Sequence, residues 1–202
     1  MDAVIRGLRF ATILGCISFL AGCAFGTRQP TLIYPPAAET GAAPVAAAKP
    51  APKNVQIVLN AFVDQRSDKK VVGTVRNGFG MRTADVIPTN SVPDWVTQAL
   101  KTELQNNGYI VGDGAKGPSA VISGEILNVF CDMYFSYTGQ VSLLAKVSRD
   151  GKDVLNRNYS GEGSAGVAWG GTAESYAQSL ALALAAAIRQ LTAELDKTLS
   201  AP

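Results

Sequence analysis

Alternation between apolar and polar positions predicts strands in the first half of the chain. Residues 55–63 alternate apolar and polar side chains, which predicts a strand that ends at the polar loop 64–68. Two further β-prone runs, 71–76 and 81–87, flank the dipeptide Asn77-Gly78. Because Asn-Gly between two such runs is a strong hairpin signal, we predict a hairpin there.

The second half of the chain carries the longest strand signals. Residues 120–130 are apolar on both faces in places, which is typical of a strand in the middle of a sheet. Residues 141–147 alternate with polar neighbours and predict a strand with one wet face. The pair Asp150-Gly151 then turns the chain back into an antiparallel strand over 154–160. A short strand is also expected at Tyr109–Val111.

Two segments have the 3.6-residue apolar period of a helix. The first begins at Ser91, a residue type that caps free backbone N–H groups, and stops before Gly108. The second covers 172–199 and carries leucines, alanines and Tyr176 on one stripe. The resulting order, β, ββ, α, β, β, ββ, α, predicts an α+β (two-layer α/β) domain over 54–202. Its mixed, mostly antiparallel sheet would pack against the two helices.

The N-terminus has the three parts of an export signal. Arg6 and Arg9 precede an apolar stretch, 10–20, that at about 11 residues is too short to span a bilayer. Leu20-Ala21-Gly22-Cys23 follows and is similar to a bacterial lipobox. This similarity implies a signal peptide over 1–22 and cleavage after Gly22.

Cys23 would then carry an S-diacylglyceryl group and an N-acyl group, which together are enough for stable membrane anchoring. Ala24 rather than aspartate follows it, which favours the periplasmic face of the outer membrane over the inner membrane. Residues 23–53 are rich in alanine and proline, and we interpret 26–53 as an extended tether. A coil of about 28 residues reaches roughly 30 Å, and a polyproline-like one up to about 85 Å, so the domain could stand off the membrane.

The amino-acid composition argues against several classes of catalytic site and partner. The chain contains no histidine, which removes Ser-His-Asp and Cys-His catalysis and most catalytic zinc sites. Its net charge of +2 and the lack of a basic cluster argue against nucleic acid as a partner. Cys131 is the one thiol left after cleavage and lipidation, and we expect it to pack as a small buried hydrophobe. We therefore expect no enzyme, no metal and no cofactor.

Gly161-Glu162-Gly163-Ser164-Ala165-Gly166 matches G-x-G-x-x-G in letters only. A dinucleotide site needs a following parallel strand and an acidic residue about 20 positions on, and here only a helix follows. The simpler interpretation is a flexible loop that leads to the last helix and presents Trp169.

Two other segments could form a docking surface. Asp64 and Arg66 either present a loop to a partner or form a local ion pair. The aromatic-rich run 131–137 suits either a binding surface or an ordinary strand. The candidate interaction surface comprises Asp64, Arg66, Phe79, Tyr134, Phe135, Tyr137 and Trp169.

The order of segments resembles the YajG-like family of bacterial lipoproteins. The shared pieces are the lipobox ending at Cys23, Asp64-Gln65-Arg66 after the first strand, Asn107–Val111 after the first helix, Asn158-Tyr159, Gly161-Glu162-Gly163 and the long final helix. The alanine-proline tether and the longer hairpin at Asn77-Gly78 depart from the pattern. The resemblance implies a lipoprotein of the outer membrane with Cys23 acylated, and it implies no catalytic residue.

These observations favour a non-enzymatic adaptor held to the membrane by its lipid and bound to an envelope protein. A carrier of an apolar, lipid-like ligand is the alternative, and it requires an enclosed apolar pocket near 134–137 or Trp169. Edge strands leave self-association open.

Overall fold

The computed structural model describes residues 26–34, 53, 55–112, 119–167 and 172–200. The strands in these residues are β1 (Gln56–Leu59), β2 (Val63–Asp64), β3 (Gly73–Arg76), β4 (Arg82–Val86), β5 (Ile110–Val111), β6 (Ser119–Met133), β7 (Ser136–Arg149) and β8 (Lys152–Val167). The helices are α1 (Val92–Asn106) and α2 (Ala173–Ser200).

Strand β6 organises the sheet, as its apolar faces predicted. One of its edges pairs antiparallel with β7 along most of its length, and β7 in turn pairs antiparallel with β8. The other edge receives β1, β2 and β3 one after another, all parallel to β6. β5 then extends the sheet beyond β1, and β4 extends it beyond β3.

The α+β class and the mixed sheet are confirmed. Among the strand pairs of the described residues, four of seven run parallel, so the predicted excess of antiparallel pairs is not confirmed. Three short strands that follow one another along the same edge of β6 account for this difference. The single strand predicted over 55–63 is likewise divided into β1 and β2.

Helix α1 begins and ends where the sequence predicts. The Ser91 side chain accepts a hydrogen bond from the Asp94 amide at 3.3 Å, and Gly108 follows the helix with a φ of 85°. Trp95, Val96 and Leu100 are buried on its inner face. This face packs the helix against α2 and β5.

Helix α2 lies directly on β7 and β8 because glycines remove the side chains between them. A Cβ atom on Gly161 would lie 2.1 Å from the carbonyl oxygen of Ala183, and one on Gly163 would lie 2.5 Å from the Ala183 nitrogen. A Cβ atom on Gly139 would meet the Ser179 oxygen at 2.6 Å. The interpretation of 161–166 as a flexible loop is therefore wrong, because these residues belong to β8. We call the contact of Gly139, Gly161 and Gly163 with α2 the glycine seam.

Residues 26–34 lie against the domain instead of forming part of a free tether. The Arg28 amide donates to the Asp85 oxygen at 3.0 Å, and the Ile87 amide donates to the Arg28 oxygen at 2.8 Å. These bonds make a parallel bridge between Arg28 and Val86, so the segment runs beside β4 in the same direction.

The segment then continues onto α1. Leu32 is buried, the Trp95 indole N–H donates to the Ile33 oxygen at 3.0 Å, and the Tyr34 hydroxyl donates to Glu103 at 2.8 Å. Further along, the Lys53 amide donates to the Gly108 oxygen at 2.9 Å. The rest of the predicted tether, 35–52, lies outside the described residues, but the residues on either side of it, Tyr34 and Lys53, are both held on the domain. The length of 35–52 therefore does not set the distance between Cys23 and the domain.

Candidate functional site

Two turns meet at one end of the sheet. Val75 of β3 pairs with Met133 of β6, so the turn between β3 and β4 and the turn between β6 and β7 leave the sheet side by side. Their contact is direct, since a Cβ atom on Gly80 would lie 3.1 Å from the Tyr134 ring. The predicted hairpin at Asn77-Gly78 is confirmed by this arrangement.

Large apolar side chains project from both turns. Phe79 is 87% exposed, Phe135 75%, Met81 59% and Tyr134 44%. The rings of Tyr134 and Phe135 contact each other, with centroids 4.1 Å apart. We call these four residues the aromatic end. Exposed apolar side chains gathered in one place mark an interaction site more often than scattered ones do.

Asn77 fixes the shape of the first turn. Its side-chain oxygen accepts hydrogen bonds from the backbone amides of Phe79 at 3.0 Å and Met81 at 3.1 Å. The backbone amide of Asn77 donates to the Met81 carbonyl oxygen at 3.0 Å. Gly80 has a φ of 80°, a conformation that glycine adopts without strain. The exposure of Phe79 therefore results from a well-bonded turn.

The charges next to the aromatic end are paired. Arg76 donates to both carboxylate oxygens of Asp132, at 2.7 and 3.1 Å, and to the Gly80 oxygen at 2.9 Å. The hydrogen bonds to Asp132 raise the pKa of Arg76. Arg82 forms an ion pair with Asp85. Neither turn contains a charged residue, so this end of the molecule is apolar and nearly neutral.

A groove lies beside the aromatic end on the sheet. Its volume is about 460 Å³, and it is lined by Phe130, Asp132, Tyr134, Phe135, Ser136, Thr138 and Gln140. The groove is open to solvent, and polar side chains form much of its wall. It does not have the enclosed apolar form that a lipid carrier requires.

The sequence matches, over residues 42–201, a family described as uncharacterised lipoprotein. This chain belongs to that lipoprotein family. The lipoprotein prediction is confirmed at this level, whereas the YajG-like resemblance stays a prediction. No helix among the described residues of the lipoprotein is long and apolar enough to cross a membrane.

A solved structure with a TM-score above 0.5 shows a shared fold. Protein XCC0632 from Xanthomonas campestris, of family DUF330, is 12% identical to the lipoprotein with a TM-score of 0.53, over 86% of this chain and 96% of its own. Protein CT253 from Chlamydia trachomatis is 10% identical with a TM-score of 0.49, over 77% of this chain and 100% of its own. A search of curated proteins finds no match to the sequence.

Asp64 and Arg66 form a local ion pair in the lipoprotein. The Arg66 guanidinium is buried, donates to both Asp64 oxygens at 3.0 and 2.9 Å, and donates to the carbonyls of Lys69 and Val71. These hydrogen bonds hold together the loop between β2 and β3. The local ion pair is therefore present, and Arg66 itself is not part of an interaction surface because its side chain is buried.

Tyr137 is buried as well, so it is not part of an interaction surface. It is 1% exposed, its ring meets the Tyr176 ring edge-on at 5.0 Å, and its hydroxyl accepts from the Thr172 amide at 2.9 Å. Its place in β7 explains the difference, because neighbouring side chains of a strand point to opposite faces. Ser136 faces the groove and Tyr137 faces α2.

The remaining candidate residues are Cys131, Cys23 and Trp169. Cys131 is buried, as predicted, and burial raises the pKa of its thiol to about 12. Cys23 and Trp169 lie outside the described residues. Val167, two residues before Trp169, pairs with Ser136 next to the aromatic end. Among the described residues, no group of three or more acidic or cysteine side chains is placed to hold a metal ion.

Neither Met81 nor the Arg76–Asp132 pair stands out in the sequence. The β-prone run 81–87 places Met81 in a strand, although it directly follows Gly80 of the hairpin turn. The ion pair joins residues 56 positions apart, so no local pattern could have indicated it.

Proposed function

We propose that this lipoprotein is a non-enzymatic binding module, or adaptor, anchored by Cys23 to the periplasmic face of the outer membrane. Membership of a lipoprotein family supports the anchoring. The observation that carries the binding role is the aromatic end, where large apolar side chains project from well-bonded turns. Aromatic residues and methionine are the types enriched at binding surfaces.

The anchor is tested by replacing the acylated residue. We expect Cys23→Ala to leave the domain folded and to move the protein from the membrane to the soluble periplasmic fraction. Intact-mass analysis of the wild-type protein should show the mature chain starting at residue 23 with its acyl groups. A bare Cys23, or a variant still in the membrane fraction, would contradict the anchoring.

The binding role is tested by crosslinking in the native host. A photo-crosslinking amino acid at position 79 or 135 should give adducts with whatever covers the aromatic end, a protein or the lipid of the bilayer, whereas the same residue at Val154 should give few. Val154 is exposed and lies at the opposite end of the sheet, so it is the matched control. Equal yields at all three positions would contradict a binding surface at the aromatic end. Adducts between two copies would identify self-association.

The groove beside Phe130 offers a second candidate function, the shallow binding of one apolar ligand at an open site rather than its enclosure in a carrier pocket. Its volume exceeds the roughly 300 Å³ of a small-ligand site, although it is open. Native mass spectrometry of the Cys23→Ala protein, purified without detergent, should then show a bound lipid. Thr138→Trp, which would fill the groove, should remove it. A protein free of any adduct would contradict this role.

A further inference from the structure

The position of the N-terminal segment points to what covers the aromatic end. We propose that the occupant is the bilayer itself, into whose interface Phe79, Met81, Tyr134 and Phe135 insert. This proposal rests on the acylation of Cys23 proposed above. It names the partner of the aromatic end and fixes the orientation of the domain on the membrane.

The connection between the lipid on Cys23 and the domain is short. Cys23 precedes Gly26 by three residues, which span at most about 11 Å when fully extended. From Arg28 onward the chain is hydrogen-bonded to β4. The acyl chains must therefore leave the protein close to Gly26.

Gly26 lies at the same end of the molecule as the aromatic end. The bridge between Arg28 and Val86 is parallel, so Gly26 comes about level with Ala84, near the start of β4. β4 begins at Arg82, directly after the turn that carries Phe79 and Met81. Two residues of strand cover about 7 Å. The lipid and the aromatic end are thus on the same end of the molecule.

The chemistry of the two turns also suits the bilayer interface. The turns carry no charged residue, and the cations that flank the first turn, Arg76 and Arg82, are paired with Asp132 and Asp85. Insertion of the turns therefore desolvates no unpaired charge beside them. Tyrosine also suits the boundary, because its ring is apolar and its hydroxyl can stay in water. An apolar, neutral end implies that anionic lipids and low salt are not required.

The experiment places a polarity-sensitive fluorophore on single cysteines in the acylated mature protein. Labelled Phe79→Cys and Phe135→Cys proteins are reconstituted in vesicles of phosphatidylethanolamine and phosphatidylglycerol that contain doxyl-labelled lipid, with Val154→Cys as the control. Buried Cys131 should not take up the label. We expect blue-shifted, quenched emission at positions 79 and 135 and neither effect at 154.

The outcomes separate the two proposals. Aqueous, unquenched labels at 79 and 135 in protein whose acylation is confirmed by mass would overturn the membrane contact and leave the anchor intact. A bare Cys23 would instead remove the anchor. Crosslinks from position 135 that reach only a protein, and no lipid, would also overturn the membrane contact.

A pair of insertions tests the short connection. A 20-residue glycine-serine insertion after Phe25 should reduce the quenching at position 135, because the effective concentration of the aromatic end at the bilayer falls as the linker lengthens. The same insertion after Ala43 should leave the quenching unchanged, since residues 34 and 53 are both held on the domain. Equal effects from the two insertions would overturn the proposed orientation.

Discussion

At the scale of single residues, burial decides which of the chemically interesting side chains are available. Arg66 and Tyr137 belong to the same predicted surface as Phe79 and Phe135, yet both side chains are buried and hydrogen-bonded inside the molecule. Arg66 satisfies carbonyls of its own loop, and Tyr137 holds the start of α2. The sequence shows residue types that can bind, but the partner that each has inside the fold depends on contacts that local patterns do not contain.

The Asp64–Arg66 pair makes stability depend on acidic pH. Burial raises the pKa of Asp64, but the hydrogen bonds from Arg66 outweigh it and hold this pKa below its usual value. The stabilisation is therefore complete above the unfolded-state pKa of about 3.9 and is lost as the pH falls through the lower folded-state pKa.

We expect Asp64→Asn to lower the free energy of unfolding at pH 7 by about 3 kcal/mol, because it leaves a buried guanidinium without its counter-charge. Urea titrations from pH 7 to pH 3 should also show a weaker loss of stability with acid than in wild type. Asp153→Asn, at an exposed position, should change the free energy little. A fall with acid equal to that of wild type would contradict the role of this pair.

The Cys131 thiol should be inert in the folded protein. The thiolate is the reactive form, and a pKa of about 12 together with full burial keeps both its population and its access low. N-ethylmaleimide should modify Cys131 in urea but not in buffer. Phe135→Cys should react at once in buffer, and rapid native modification of Cys131 would contradict the packing described.

At the scale of elements, the glycine seam explains how a helix rich in alanine is held. Gly139, Gly161 and Gly163 bring β7 and β8 against the backbone of α2 near Ser179 and Ala183. Most elements followed from the sequence because their apolar period or turn residues are local signals. The end of β8 did not, because a glycine there serves close approach of a helix, and the same letters are typical of a loop.

Gly161→Ala should destabilise the protein by about 3 kcal/mol, since the new methyl would overlap the Ala183 backbone and force the helix outwards. Urea unfolding followed by circular dichroism measures this change. Gly112→Ala is the matched control, because a Cβ atom there meets nothing within 4 Å. Equal stability of the two variants would rule out the tight seam.

At the scale of the whole molecule, the N-terminal segment 26–34 packs against the domain that follows it in the chain. Residues 26–34 contact β4, Asn90 and α1, which are 58 to 69 positions away in sequence. Proline and alanine around this segment favoured a tether, and only the tertiary contacts of Leu32 and Tyr34 show otherwise. The α+β class and the lipoprotein character could be predicted, whereas the docking of residues 26–34 on the domain could not.

Leu32→Ala should lower the free energy of unfolding by about 3 kcal/mol, because it removes a buried side chain and leaves a cavity. Ile33→Ala changes a neighbour that is 47% exposed and should have an effect within about 0.5 kcal/mol. Hydrogen exchange of the Arg28 and Leu32 amides should accelerate in the first variant only. Comparable exchange in both variants would mean that Leu32 does not hold the segment.

Tyr34 and Lys53, on either side of residues 35–52, are both held on the domain, and this determines whether a cut between them would release the domain. In the acylated protein proposed above, a single cut between Tyr34 and Lys53 would leave the lipidated peptide docked beside β4 and on α1. The severed domain would stay at the membrane until that peptide dissociates. Shedding of the acylated protein would then be a two-step process, and its rate after cleavage would be set by the lifetime of this noncovalent contact.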